Sequence, residues 1–494
     1  MAAFIGDVRM VARRSVIEAG FVLDLPPDAQ EQLARLREIG VADVTGEAIR
    51  DLRALPWISI DAADTRDLDQ VTVAETLPAG TTRVRVGIAD VDIWVPRDSP
   101  LDRHAARNAL SVYTGIETFH MLPVELATGQ TSLLPGTDRL ALVMDFVVDS
   151  TGAVRTADAY RALICNHAQL DDELVGAWLA HDTVALPQIA HLPWLSSQLQ
   201  LQEHVVHSLH DWRKRRGAQD MPRLEVRPIF DAGRVVDLVT LCPNGARVLT
   251  EQLMVAANSV AATLLSETDG PWIARGQAVR DWHRIVDLAA IHNFALPSEP
   301  EAAVLTAFLD EQAAVDPHGF PALQAGINTL LGGSADVVVT PQAEAPRHFG
   351  LALDQYTRIT APNRRYLDLV TQRVLKAVIA HQPMPYTAAE LAAMVTHGAE
   401  RARAAWEVER TLVKLYAILL LQDRHGVIFD AVVTTVNDWG VWARLAHPPV
   451  EGRIMRGDAG LAIGDRVRVR LLRTDWERGF INLERVVGHR RRAR

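Results

Sequence analysis

Four aspartates, Asp61, Asp64, Asp67 and Asp69, fall within nine residues of the segment SIDAADTRDLDQV (59–71). Carboxylates this close repel one another unless cations or solvent neutralise them, so such a run marks either an exposed turn or a metal site. A calcium loop of the EF-hand kind does not fit: counted from Asp61, Ala63 stands where a ligand belongs, and the central glycine is missing. The fold must either leave this run at its surface or build a framework around it that holds cations.

The chain has room for such a framework. At roughly 150 residues per domain, 494 residues suggest about three domains. The opening MAAFIGDVRMVARR has no apolar stretch behind its charges, and no segment approaches 18 consecutive apolar residues. Neither a signal peptide nor a membrane span is expected, and the cytoplasm is the expected location. Two cysteines, Cys165 and Cys242, make no CxxC pair, which argues against a disulfide framework or a structural zinc site. A net charge of −10 argues against coating nucleic acid by bulk charge. Basic character is local instead, with twelve arginines against six acidic residues in 451–494.

Residues 1–55 read as helices at RMVARRSVIEAG, PDAQEQLARLREIG and TGEAIRDLRAL, a small helical domain with helix-turn-helix among the arrangements open to it. From Trp57 to about Gln382 the pattern is mixed, with strand-like TRVRVGIADVDIWV and LALVMDFVVD and a helical run from Ala246 to Leu265. Residues 387–423 read as one amphipathic helix. Five short strands then follow, VIFDAVVTTV, VWARL, EGRIM, DRVRVRLL and FINLERV, which suggest a closed OB-type barrel. Alternation in DRVRVRLL sets Val467, Val469 and Leu471 on one face and Arg466, Arg468 and Arg470 on the other.

The acidic run resembles the start of the catalytic domain in the ribonuclease II and ribonuclease R family, an Ile-Asp followed by Thr-x-Asp-x-Asp-Asp. Here it reads Ile60-Asp61, then Thr65-Arg66-Asp67-Leu68-Asp69-Gln70. The likeness continues through GIADVDIWV (87–95), SPLDRHA (99–105), SVY (111–113), MLPVEL (121–126), SLLPGTDRLAL (132–142), GARVLTEQLMVAAN (245–258) and TAPNRRYLDLVTQR (360–373). The terminal barrel is similar to the S1 module that commonly follows that domain.

The resemblance implies metal ligation by Asp61, Asp67 and Asp69, with Gln70 where the family carries a fourth carboxylate. It gives Asp69 the role most critical for cleavage and Arg364 the scissile phosphate, with Arg365 beside it as a further RNA contact. An arginine's fixed charge and planar fork suit a phosphate gaining negative charge. Glu251 would meet the terminal nucleotide; otherwise it is a helix-cap residue, and a carboxylate on so apolar a helix needs a partner or a polar cavity. Tyr113 would stack on a base near the 3′ end, whereas Met221 stands where an opposing aromatic is expected. In the barrel, Trp439 and Trp442 are the candidate RNA-stacking residues, with core packing as the plain alternative. The basic run Arg213 to Arg216 is a backbone contact or merely a solvated helix face.

The expected fold class is multidomain α+β. Its parts are an N-terminal helical domain (1–55), an RNB-type catalytic domain (56–385), a helical connector (386–424), an S1 barrel (425–488) and a basic tail (489–494). The implied function is a 3′ to 5′ exoribonuclease that hydrolyses single-stranded RNA to nucleoside 5′-monophosphates with Mg²⁺, Mn²⁺ being a substitute. It would act as a monomer, without membrane or obligate protein partner. The alternative, raised by Gln70 and by Met221 at the stacking position, is an RNA-binding protein whose nuclease site has decayed.

Overall fold

The computed structural model describes all residues except 1–7, 38–48, 182–185, 220–224, 242, 243, 318, 477 and 487–494. Six strands form the main sheet in the order Arg50–Asp51, Val154–Asp171, Trp57–Asp61, Gln70–Thr76, Thr82–Ala89 and Asp138–Val148. Asp138–Val148 also pairs antiparallel with the first part of Val154–Asp171, while the last part of that strand runs parallel to Trp57–Asp61, Asp61 opposite Asp171. The sheet thus returns upon itself through one 18-residue strand. Strands covered on both faces read as continuous apolar runs rather than alternating ones. Trp57 to Ile60 and Leu140 to Phe146 are accordingly buried without a break.

The helix Gly245–Ser266 packs on this sheet, its first turn capped by Asn244, whose side chain accepts from the Arg247 N–H at 2.9 Å. It is long and apolar enough to cross a membrane by composition, but its Leu249, Leu253, Ala257, Val260 and Leu265 lie in the main core. Burial against the sheet, not lipid, accounts for its hydropathy.

Helices Val8–Glu18 and Pro27–Leu36 form where the N-terminal periodicity places them. The third expected helix lies partly outside the described residues. Its remainder is not helical: Arg50 and Asp51 pair with Ala162 and Leu163, and the Leu52 N–H donates to the Leu163 carbonyl at 2.9 Å. Hydrogen bonds to the long strand outweigh a modest local helix preference there.

The connector is a single 34-residue helix, Ala388–Leu421, opened by a capping box between Thr387 and Glu390. A second core forms on it, joining Val8, Ala12 and Val16 of the first helix to Leu412, Tyr416 and the inner face of the barrel. The barrel closes in the order Ile428–Asn437, Gly440–Leu445, Glu451–Arg456, Phe480–Arg485, Arg466–Asp475. Val467, Val469 and Leu471 point inward, and Arg466, Arg468 and Arg470 are exposed, as the alternation requires.

Candidate active site

Asp61 ends one strand of the sheet and Gln70 begins the next, so the acidic run is the loop between two buried neighbours. That loop is anchored from outside itself. The Ser132 hydroxyl accepts from the Leu68 N–H at 2.9 Å and donates to the Arg66 carbonyl at 2.7 Å, and the Leu133 N–H donates to the Leu68 carbonyl. Leu68 is fully buried and acts as the loop's apolar pin. Asp69 is carried inward with it, to 2% exposure.

A buried carboxylate needs partners. Arg364 donates from Nε to Asp69 Oδ2 at 2.9 Å, and the Asn363 N–H donates to Oδ1 at 3.2 Å. Burial nonetheless lifts the Asp69 carboxyl to about 6, against the opposing pull of Arg364. Asp61 is pushed further, to about 7, by burial, with the Ser59 hydroxyl working against it and the charge of Asp69 adding to it. Its Oδ2 is buried with no hydrogen-bond partner. Asp67 acts electrostatically on Asp61, Asp69 and Arg364, so the structure brings these four groups into one site.

Asp64 is exposed and pairs with Arg227 at 2.9 Å. Among the described residues no three His, Cys, Asp or Glu side chains make a ready coordination sphere. The donor set still suits a hard divalent cation: hard oxygens, one of them buried and unpartnered, on carboxyls whose raised protonation a cation would reverse.

The Arg364 loop is fastened beside Tyr113. The Ser111 N–H donates to the Arg364 carbonyl at 3.1 Å, and the Tyr366 N–H to the Ala109 carbonyl at 2.8 Å. Tyr113 is 41% exposed, with its hydroxyl 3.5 Å from Asp67 Oδ2. A ring so placed offers a face beside the aspartates. Arg365 turns the other way: its Nη2 donates to Asp368 Oδ2 at 2.6 Å and its Nε to the same oxygen at 3.0 Å, bracing the start of the helix Tyr366–Ile379.

Glu251 lies in the second turn of its helix, exposed, and is not the cap, a place held by Asn244. The partner or polar cavity expected for it is therefore not required. The basic run is also spoken for: Arg213 bonds Gln252, Lys214 pairs with Asp310, Arg215 donates to the Thr151 carbonyl, and Arg216 pairs with Asp354. Met221 lies outside the described residues.

Some participants carried no usable signal in the sequence. His120 is close enough to Asp67 to feel its charge, although burial holds its pKa below the ordinary value. A lone histidine in TFHML announces nothing. The Asn363 N–H was hidden too, because a backbone donor leaves no trace in residue type, and the Ser132 hydroxyl anchors a loop more than sixty residues away.

On the barrel, Trp439 stands 79% exposed at the tip of the first hairpin, and Trp442 is half-buried with the Arg453 guanidinium 5.5 Å from its ring centre. Arg453 also donates to the Trp439 carbonyl. Trp439, Trp442 and Arg453 therefore lie together at one hairpin of the barrel.

A sheet closed by one long strand carries an aspartate loop held under an arginine, a five-stranded barrel follows a helical connector, and the chain belongs to the RNB family. Residues 49–381 match the RNB domain, and residues 428–486 match the RNase II-type exonuclease C-terminal S1 domain. Among curated relatives it is similar to ribonuclease R of Escherichia coli K12, 28% identical over 484 residues, 90% of this chain and 58% of that protein. The chain thus spans less than two thirds of that relative's length. Among solved structures it resembles Mycoplasma genitalium RNase R in complex with ribose methylated single-stranded RNA, with TM-score 0.86, 20% identity, and coverage of 97% of this chain and 78% of that one. It also shares the fold of yeast Ssd1, a pseudonuclease, with TM-score 0.68, 16% identity, and coverage of 87% and 52%. Exoribonucleases of the RNB family depend on divalent metal in general.

Proposed function

We propose that this protein is a 3′ to 5′ exoribonuclease that hydrolyses single-stranded RNA to nucleoside 5′-monophosphates. The observation that carries the reading is Asp69, held in a nearly closed environment between the Arg364 guanidinium and the Asn363 N–H, within the field of Asp61 and Asp67. Asp61, Asp67, Asp69 and the Gln70 carbonyl would hold Mg²⁺, with Mn²⁺ as a substitute. Bound there, the metal would supply an activated water and a counter-charge for the phosphate. Arg364, already aligned by Asp69, would meet the scissile phosphate and stabilise the charge that grows on its oxygens. Tyr113 would stack under a base near the 3′ end, a contact indifferent to base identity. Glu251 and Arg365 would approach the RNA only if the bound chain drew them in, since Arg365 starts from its pair with Asp368.

The expected boundary at residue 55 moves back, because Arg50–Asp51 joins the main sheet: the working division is a helical unit before residue 49, a catalytic unit from 49 to 385, a connector over 386–424 and a barrel over 425–488. Trp439 and Trp442 on the barrel would capture the incoming strand. The protein would act as a cytoplasmic monomer with RNA as its partner. The competing reading, an RNA-binding protein with a decayed site, is favoured by Gln70 and by Asp64 being committed to Arg227.

A time course on 5′-labelled single-stranded RNA and matching DNA separates the two. Stepwise shortening of RNA alone, stopped by EDTA and by Asp69→Asn, supports the nuclease. Tight binding without shortening supports the decayed site, and makes Gln70→Asp the next protein to assay.

A further inference from the structure

The strand that carries Tyr113 is only Val112–Tyr113, paired with the two residues Thr118–Phe119. A hairpin this short does not hold its own conformation in water. Its anchors come instead from the connector helix Ala388–Leu421. The Tyr113 N–H donates to Glu409 Oε1 at 2.9 Å, and the Tyr416 hydroxyl donates to the Thr114 carbonyl at 2.6 Å. Glu409 and Tyr416 are seven residues apart, two turns along one helix face, so a single rigid element grips two successive residues of the hairpin.

The grip is itself supported. Tyr416 is fully buried and meets Phe230 edge-on, ring centres 5.2 Å apart. At the hairpin turn, Gly115 has φ +82°, and a Cβ there would come within 2.3 Å of the Pro228 ring. Both contacts come from the strand Glu225–Asp231, which lies against the same helix. The other end of the segment is tied to the Arg364 loop through Ser111. Tyr113 is therefore held between the arginine loop on one side and the connector helix on the other.

We infer that Glu409 and Tyr416 are positioning residues for the Tyr113 ring, setting its height over the aspartate loop and hence the fit of the terminal base. The inference rests on the proposed RNA-end site and concerns which residues of this chain tune it. Because the same helix leads directly into the barrel, the capture surface and the terminal-base platform share one rigid element.

The test uses the full chain with single-stranded RNA bearing 2-aminopurine at its 3′ end, whose fluorescence falls on stacking. Quenching is read in EDTA, and steady-state cleavage in Mg²⁺. Wild type should quench on binding, and Tyr113→Ala should not. Glu409→Ala and Tyr416→Phe should lose at least half of the quenching and raise KM about tenfold, part of the worth of one base stack, with kcat changed by less than about twofold. Glu409→Gln, which keeps an acceptor oxygen, should restore both. Quenching and KM like wild type in Glu409→Ala and Tyr416→Phe would overturn the inference, even if their melting temperatures fall, since that is a purely structural role. Equal quenching by wild type and Tyr113→Ala would overturn it as well. If wild type quenches normally but never shortens RNA, the exonuclease assignment fails while the positioning assignment stands on the quenching data.

Discussion

Arg364 Nε lies 2.9 Å from the Oδ2 of Asp69, a carboxylate with 2% exposure, while 39% of the arginine side chain remains open to solvent. One end of the guanidinium is fixed and the rest is free to meet a ligand. On the proposed reading, Asp69 would orient the arginine before an anionic ligand arrives, so that little ordering would be left to binding.

Arg364→Lys is expected to cut RNA cleavage by about 10²–10³-fold, because an ammonium retains the charge but loses the planar fork that serves Asp69 and phosphate together. Binding of the RNA 5′ region, measured by filter retention, should change little. Wild-type turnover in this variant would show that charge alone suffices.

Mg²⁺ should raise the unfolding free energy of the wild type by about 2–3 kcal/mol at a hundredfold excess over its dissociation constant. Asp61→Asn should lose most of that increment while being at least as stable as wild type without metal, since it removes a negative charge that burial and the neighbouring aspartates disfavour. Gln70→Asp should enlarge the increment. Differential scanning calorimetry with and without EDTA reads all three, and equal metal shifts in the three proteins would remove Asp61 and Gln70 from the metal site.

His348 gives a pH dependence far from the aspartates. Its ring is 8% exposed, bonded to Ser334 and to the Leu351 N–H, and burial holds its pKa at about 4 against 6.5 for the free side chain. The unfolded chain therefore binds the proton first as pH falls. Stability contributed by the neutral ring is full above pH 6.5 and is lost as pH drops from 6.5 to 4, by about 3 kcal/mol in all. His348→Gln should be weaker at pH 7.5 but should lose less between those limits. Urea titrations at pH 4.5, 5.5, 6.5 and 7.5 test this, and parallel pH profiles for the two proteins would refute it.

Trp439→Ala should weaken single-stranded RNA binding by about 1–3 kcal/mol and leave the melting temperature unchanged, because the side chain is almost wholly in solvent. Trp442→Ala, whose ring is half-buried beside Arg453, should lower both. Fluorescence anisotropy at two salt concentrations separates stacking from phosphate contact, since only the latter is strongly salt-dependent.

Much of the architecture was legible because it is written in periodicity. The alternation of Val467, Val469 and Leu471 with three arginines predicts a barrel strand, and the barrel closes with those residues inside. The aspartate loop could be recognised from its composition and from the ordered motifs that follow it. What stayed hidden depends on pairing across distance. The strand Val154–Asp171 serves two partners with one run of residues, and no local pattern encodes a second partner. Residues 49–55 have helical composition, yet Arg50, Asp51 and Leu52 take their hydrogen bonds from that strand. Glu409 is half-buried and accepts from the Tyr113 N–H, yet a glutamate among the many charges of its helix looks like any solvated one. Glu251 erred in the other direction: its apolar neighbours implied burial, but they face the sheet and it faces water.

The closure of the sheet also fixes the order in which this protein can come into being. During synthesis, Trp57–Asp61 gains its outer neighbour only when residues 166–171 have been made, and Asp69 meets Arg364 only 295 residues after it emerges. Until then the aspartates lie on a nascent chain without their counter-charge and without a wall behind them. A ribosome making this protein therefore carries no assembled copy of the site until Arg364 has been made.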